Sequence, residues 1–247
     1  MKRFFVFVTV FCLSLNFLHA QETVGLEESL EGEEQNSPAA ENPSSLKISP
    51  SLFFTLGPKL MLNTDKSTES APSPVMYSLG LGGDFVFSNG ILLQAHASFF
   101  TNYYLWDGKD AQPAEVENRT GTALSLMLDL CGGYTFSLGE HQNHLLSLSG
   151  GAGFLLRYAF LSNGVDFSEK NRDTDSTAGD DVSSINDSFF KDLNFLYPEF
   201  ALSYSYILSS KWKIGGETRI YLPIGSLVNG NGADGMLFSL SAKLTYR

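Results

Sequence analysis

The stretch Ile91–Trp106, ILLQAHASFFTNYYLW, constrains the fold more than any other part of the chain. Every second residue belongs to one set: Ile91, Leu93, Ala95, Ala97, Phe99, Thr101, Tyr103 and Leu105. The interleaved set is Leu92, Gln94, His96, Ser98, Phe100, Asn102, Tyr104 and Trp106. A period of two is the signature of a β-strand, in which successive side chains point to opposite faces. Its 16 residues far exceed the ~5–6 of a soluble strand. They suffice for the ~9–11 tilted residues that cross a bilayer. The pattern recurs from Leu46 onward, and strands are predicted near 46–62, 75–88, 91–106, 122–137, 144–162, 193–208, 211–225 and 236–247. No helical stripe at i, i+3, i+4, i+7 is read in this region, so the expectation is an all-β chain.

The connections alternate in length. Ser88-Asn89-Gly90, Leu138–Asn143 and Ser209-Ser210 are short, and Asn89-Gly90 is a favoured tight-hairpin pair. Asn63–Pro74, Asp107–Gly121, Asn163–Asp192 and Ser226–Gly235 are longer and polar. An even number of strands with tight turns at one end and long loops at the other is the pattern of an up-and-down barrel in a bacterial outer membrane. It places both ends of the barrel segment on the side of the short turns.

A soluble lipid-binding barrel would share the strand count but turn its apolar face inward. Side-chain size separates the two cases. The even positions of 52–60, 124–136, 146–160, 196–206, 212–224 and 236–246 and the odd positions of 77–87 and 91–105 carry no charge, and Leu, Ile, Phe and Tyr dominate them. The positions between them hold small residues and a few charges. A lumen of eight strands has just enough room for small side chains, so the bulky face is expected to meet lipid. Phe85, Phe87, Tyr134, Phe136, Tyr204, Tyr206, Trp212 and Tyr246 fall on this face beside the short turns or the C-terminus, where an interfacial aromatic girdle belongs. Tyr77, Tyr103, Tyr158, Phe160 and Phe238 fall near the long loops.

The opposite face carries Lys59, Asp84, His96, Asp129, Arg157, Glu199, Lys213, Glu217, Arg219 and Lys243. Charges in a narrow, poorly hydrated lumen persist only when paired and hydrogen-bonded. The sequence therefore predicts a charge network filling a closed barrel, with Glu199 near Arg219 and Glu217 near Lys243. The alternative is a narrow gated or proton-sensitive path, in which His96 beside Asp84 forms a pH-responsive pair.

The N-terminus reads as an export signal over residues 1–20. Lys2 and Arg3 precede the apolar run Phe4–Leu18, and Leu18-His19-Ala20 supplies a small-residue cleavage site. A lipoprotein signal would need a small residue before Cys12, where Phe11 stands. Residues 21–45, rich in Glu and without Lys or Arg, read as an acidic disordered linker, and residues 46–247 as the barrel. Once the signal is removed Cys131 is the only cysteine, so no intrachain disulfide is expected. A net charge of −11 excludes a nucleic-acid partner, because no basic stripe is present to displace counterions from phosphates.

Catalysis is not expected. A lipid-modifying barrel needs His, Ser and a carboxylate together near the interface. Here His96 points inward, His141 and His144 lie at a short turn, and His19 belongs to the signal. No metal or cofactor is expected either. Asp173-x-Asp175-x-Thr177 hints at a calcium loop, but Ala178 stands where Gly is needed and Ser184 where Glu is needed. The 163–192 segment reads as a solvated acidic loop.

Over residues 46–247 this architecture resembles the small eight-stranded bacterial outer-membrane barrels of the OmpX, OmpA membrane-domain and OmpW type. The resemblance implies residence in outer-membrane lipid, insertion by the barrel-assembly machinery, and a monomer. It also implies a structural or adhesive role with host ligands met through the loops, or alternatively an OmpW-like narrow channel for small apolar molecules or ions. Such proteins usually end on an aromatic residue. The outward series Phe238, Leu240, Ala242, Leu244, Tyr246 is present here, but Arg247 follows it.

Overall fold

The computed structural model describes residues 47–64, 73–109, 111–114, 121–161, 166–170 and 175–247. The export signal, the acidic linker and Asp173 lie outside the described residues. Among the described residues nine strands and two helices follow in chain order: β1 Ile48–Met61, β2 Val75–Phe87, β3 Ile91–Trp106, β4 Ala111–Ala114, β5 Gly121–Leu138, β6 His144–Leu161, α1 Ala178–Phe190, β7 Leu196–Ile207, β8 Trp212–Tyr221, α2 Ile224–Val228 and β9 Leu237–Tyr246. Each strand other than β4 pairs antiparallel with its sequence neighbours in the wall, and β1–β9 pairing closes the sheet into an eight-stranded up-and-down barrel. Closure leaves no strand edge for lipid to meet, which a membrane-spanning sheet requires.

Side-chain alternation sets the two faces. Along β1, Leu52, Phe54 and Leu56 are exposed while Phe53, Thr55 and Lys59 are buried. Tyr77 on β2, Leu130 on β5 and Phe200 on β7 are 77%, 67% and 61% exposed. An exposed apolar surface that continues around the eight wall strands, each at least 10 residues long, is the outer wall of a transmembrane barrel.

The short turns are built by backbone geometry. Gly90 adopts φ 89° and donates to the Phe87 carbonyl, while the Asn89 side chain accepts from Ile91 N–H. That left-handed conformation is open to glycine at little cost. Between β7 and β8 the Ser209 hydroxyl accepts from the backbone N–H of Trp212.

The other end departs from the sequence expectation in two places. Ala111–Ala114 folds back as β4 and pairs with the outer end of β3, from Tyr103↔Ala114 to Trp106↔Ala111. It takes the edge of β3 beyond Leu79↔Phe99, where pairing with β2 stops. More consequentially, the segment expected to be a solvated acidic loop contains the 13-residue helix α1. Ala178, Val182, Ile185 and Phe189 form its buried stripe, the helical period that the sequence reading did not register. Thr177 and Asp180 form a capping box, each side chain bonding the other's backbone N–H. Thr177 is therefore a helix cap, and Ala178 opens the helix where a calcium loop would need Gly.

The helix docks because β6 outruns β7. Their pairing ends at Phe154↔Leu196, yet β6 continues to Leu161. On the uncovered edge, Ala159 N–H donates to the Asn186 Oδ1 (2.8 Å) and Asn186 Nδ2 donates to the Ala159 carbonyl (2.9 Å). One side-chain amide thus replaces the missing strand at the position where an unpaired backbone would be costly.

Candidate functional site

The interior has two layers. Toward the loops lies an apolar cluster in which Met61, Phe100, Tyr104, Met127, Leu155, Tyr197 and Tyr221 point inward from the strands and Val182, Ile185 and Phe189 come down from α1. These bulky inward residues correct the expectation that the lumen holds only small residues and charges. The helix supplies the reason: it lies over the mouth and gives apolar side chains a dry surface to pack on.

Toward the short turns lies a polar layer centred on Arg219, whose side chain is 2% exposed. Arg219 Nε donates to Glu217 Oε1 at 2.6 Å, and Nη1 reaches Glu199 Oε2 at 3.1 Å and Asp129 Oδ2 at 3.6 Å. Nη2 donates to the Gln94 Oε1. Lys243 Nζ bridges Asp84 (3.0 Å) and Glu217 (3.2 Å) and stands 3.9 Å from the centre of the Phe53 ring. Gln94 Nε2 donates to Asp84 at 2.6 Å. Asp129 also accepts from the Tyr221 hydroxyl at 3.1 Å. The Cys131 thiol, buried and free, donates to Glu199. Side chains from β1, β2, β3, β5, β7, β8 and β9 enter this layer. β6 passes it with Gly153, where a Cβ would stand 3.0 Å from Asp129 Oδ1.

Register explains who meets whom. Arg219 lies opposite Ala201 and Tyr221 opposite Glu199, so the Arg219–Glu199 pair is diagonal. His96 sits directly opposite Asp129 and opposite Gly82, whereas Asp84 sits opposite Gln94. His96 Nδ1 accordingly contacts Asp129 Oδ2 at 2.8 Å and Nε2 contacts the Thr55 hydroxyl at 3.0 Å. The expected His96–Asp84 pair does not form; Asp84 belongs to Lys243.

Two expected members, Lys59 and Arg157, stand apart, as does the turn residue Lys213. Lys59 donates to Ser98 at 3.1 Å and lies over the Phe100 and Tyr221 rings, at the boundary between the layers. Lys213 is at the turn-side end of β8. Arg157 sits among the loop-side residues: Nη1 donates to the Tyr104 hydroxyl (3.0 Å), and Nη2 to the carbonyls of Asn194 (2.8 Å) and Phe189 (3.4 Å). The sequence reading did not include Thr55, Gln94, Ser98, Cys131 and Tyr221 among the ionic partners. All five lie at inward strand positions, the one signal that could have marked them.

On the outer wall the girdle positions collect at the turn-side end. Tyr134 and Phe136 rings are 4.8 Å apart, Trp212 and Tyr246 5.0 Å, and the His144 ring packs 5.1 Å from Tyr206 with its Nδ1 2.7 Å from the Tyr204 hydroxyl. Phe85 and Phe87 are half-buried on the same end of β2.

Above the floor formed by Tyr104, Phe189 and Arg157, a cavity of about 680 Å³ rises to the exposed rim at Asn229–Asn231. Asp166 and Asp180 lie in the same loop region, outside the membrane-spanning strands. Backbone and hydroxyl donors of Ser168 hold the Asp166 carboxyl below the usual carboxylate range, and the Thr177 hydroxyl and N–H do the same for Asp180.

No protein-family model and no curated protein matches the chain. Several solved structures do. Neisserial surface protein A is 9% identical, with 81% of this chain and 98% of that chain covered and a TM-score of 0.48. The outer membrane protein OprG from Pseudomonas aeruginosa is 9% identical over 81% of this chain and 97% of its own, with a TM-score of 0.46. Ail, the attachment invasion locus protein of Yersinia pestis, solved with the heparin analogue sucrose octasulfate, is 7% identical over 80% and 95%, with a TM-score of 0.40. By its own strand pairing and outer wall, the chain is an eight-stranded transmembrane β-barrel, similar to these small bacterial outer-membrane barrels.

Proposed function

We propose that this chain is a non-catalytic outer-membrane protein with a sealed lumen, which acts through the loop-side connections it displays outside the cell. The observation that carries this reading is the double filling of the interior. A helix-capped apolar layer lies above a polar layer in which Arg219 and Lys243 are each bound to more than one carboxylate. A water-filled conduit would leave such groups solvated instead of paired. The girdle aromatics fit the inner lipid interface, and β9 presents the alternating outward series that an assembly machinery would engage. Structural or adhesive work, including contact with host ligands, then falls to the loops, because exposed connections on a rigid scaffold are where binding resides.

Orientation is the first test. Asp187→Cys on the exposed face of α1 and Glu140→Cys in the β5–β6 turn each place a thiol at an exposed position, while Cys131 is buried. A membrane-impermeant maleimide applied to intact cells should label the first variant and spare the second. Labelling of Glu140→Cys alone would reverse the proposed topology and remove the surface role.

A further inference from the structure

Contacts between β6 and the chain that follows it fix the course of α1. Val182 stands beside Gly121, the partner of Leu161, where a Cβ would meet it at 3.6 Å. Asn186 bonds Ala159, the Arg157 guanidinium reaches the Phe189 carbonyl, and Leu155 N–H donates to the Phe195 carbonyl at 2.8 Å. Residue numbers rise on one side as they fall on the other, so α1 descends antiparallel beside the uncovered edge of β6, toward the membrane-spanning wall. Helix positions four apart share a face. Phe190 therefore lies on the face of Asn186, which meets the β6 edge, and one turn nearer the wall.

Val182, Ile185 and Phe189 pack into the lumen, but Phe190 is 51% exposed. Leu193, in the turn that follows, is 44% exposed and holds φ 64°, after Asp192 at φ 51°. A left-handed backbone is costly for a bulky side chain such as Leu. Hydrogen bonds keep the turn in that shape: Asn194 N–H donates to the Lys191 carbonyl at 2.9 Å, Leu196 N–H to the Leu193 carbonyl at 3.0 Å, and Asn194 Nδ2 to the Ser188 carbonyl at 3.1 Å. In water this strain would serve only to expose two large apolar side chains. Against lipid the same turn buries them, which is favourable.

We propose that the C-terminal end of α1 and its turn are a membrane anchor, with Phe190 and Leu193 seated at the boundary of acyl chains and headgroups in the loop-side leaflet. They continue the lipid-facing wall: Tyr158 and Phe160 point outward from the adjoining part of β6 and are exposed. β7 begins only at Leu196, so the turn stands where the wall lacks a strand. The flanking polar residues fit this placement. Lys191 is exposed beside Phe190, and its stem can lie along apolar surface while the ammonium reaches a headgroup phosphate. Asp192 lines the loop-side cavity, and so turns toward the mouth while Leu193 turns away. The exposed Asp180 and Asp187 come earlier in the helix and lie farther from the wall. The anchor depends on neither the sealed lumen nor the direction of insertion.

The test uses the full barrel refolded into phosphatidylcholine vesicles, with the two native tryptophans, Trp106 and Trp212, replaced by Phe. Phe190→Trp is the probe and Phe167→Trp the control. Phe167 is also exposed, but it packs against Gly179 at the other end of α1, about 16 Å of helix rise from Phe190. Phe190→Trp should resist aqueous iodide and be quenched about twofold more by lipid brominated near the headgroup than by lipid brominated near the chain ends. Phe167→Trp should be quenched by iodide and by neither lipid. A second variant, Phe190→Ser/Leu193→Ser, keeps the lumen-facing stripe and should let protease cut within residues 175–195 about tenfold faster, by loosening the docked end of the helix. Iodide quenching of Phe190→Trp equal to that of Phe167→Trp, failure of both brominated lipids to quench it, or an unchanged cleavage rate in the Ser variant would each overturn the proposal.

Discussion

Replacing Arg219 with Leu tests the energetic logic of the lumen. Arg219 touches three carboxylates, but they do not depend on it equally. Glu217 keeps Lys243 at 3.2 Å, and Asp129 keeps His96 at 2.8 Å and Tyr221 at 3.1 Å. Glu199, 1% exposed, retains only the Cys131 thiol. The variant therefore strands one buried carboxylate. Removing one partner of a buried ion pair costs about 3–5 kcal/mol, because the other charge is left uncompensated. If that cost resides in Glu199, the double variant Arg219→Leu/Glu199→Gln should recover most of it. Both changes leave the strand register and outer wall untouched, so the comparison isolates the charge. Urea unfolding of the barrel in lipid vesicles, followed by Trp fluorescence and by heat-modifiable mobility, reads the difference. A loss below about 1 kcal/mol in Arg219→Leu, on a scale where buried pairs cost several times that, would refute the argument. So would a double variant no more stable than the single one.

Four further outcomes concern α1. Ile185 is 1% exposed, and truncation of a buried Ile to Ala costs about 2–5 kcal/mol; Ile185→Ala should release the helix, seen as protease cleavage within residues 175–195 of a barrel that stays folded. Asn186→Ala removes both bonds to Ala159, and the Ala159 amide should then exchange with solvent at least tenfold faster by NMR. Thr177→Ala should cost about 1 kcal/mol of helix stability through loss of the cap. The pH dependence of the same box follows from Asp180, whose folded pKa lies below its ordinary 3.8. Its contribution is present above that value and is lost as pH falls through the lowered pKa, so amide exchange in the first turn of α1 should rise only on acidification below 3.8.

The wall of the barrel was legible because its rules are local. Alternation, strand length and the Asn89-Gly90 turn each act within a few residues, and the eight wall strands begin and end within a few positions of the expected ones. The direction of the faces followed from volume alone. What lay beyond the sequence depended on pieces distant in the chain. The stripe Ala178, Val182, Ile185, Phe189 is interrupted by Asp and Ser, and becomes a helix face only because β6 outruns β7 and offers it an edge. His96 is expected beside Asp84, but the β3–β5 pairing, set across a long connection, places Asp129 opposite it. The inward face was read as small and charged, and its loop-side Tyr, Phe and Met residues had no visible partner until α1 was in place above them.

The central claim is that the lumen is filled and does not conduct. Planar-bilayer recording of the refolded protein tests it most directly. The expected result is silent insertion: no stepwise ion current across the voltage range that the bilayer tolerates, with insertion verified by heat-modifiable mobility of protein recovered from the same vesicles. Reproducible single-channel steps from wild-type protein, sensitive to substitution of Arg219 or Lys243, would contradict the account and make the polar layer a conduction path.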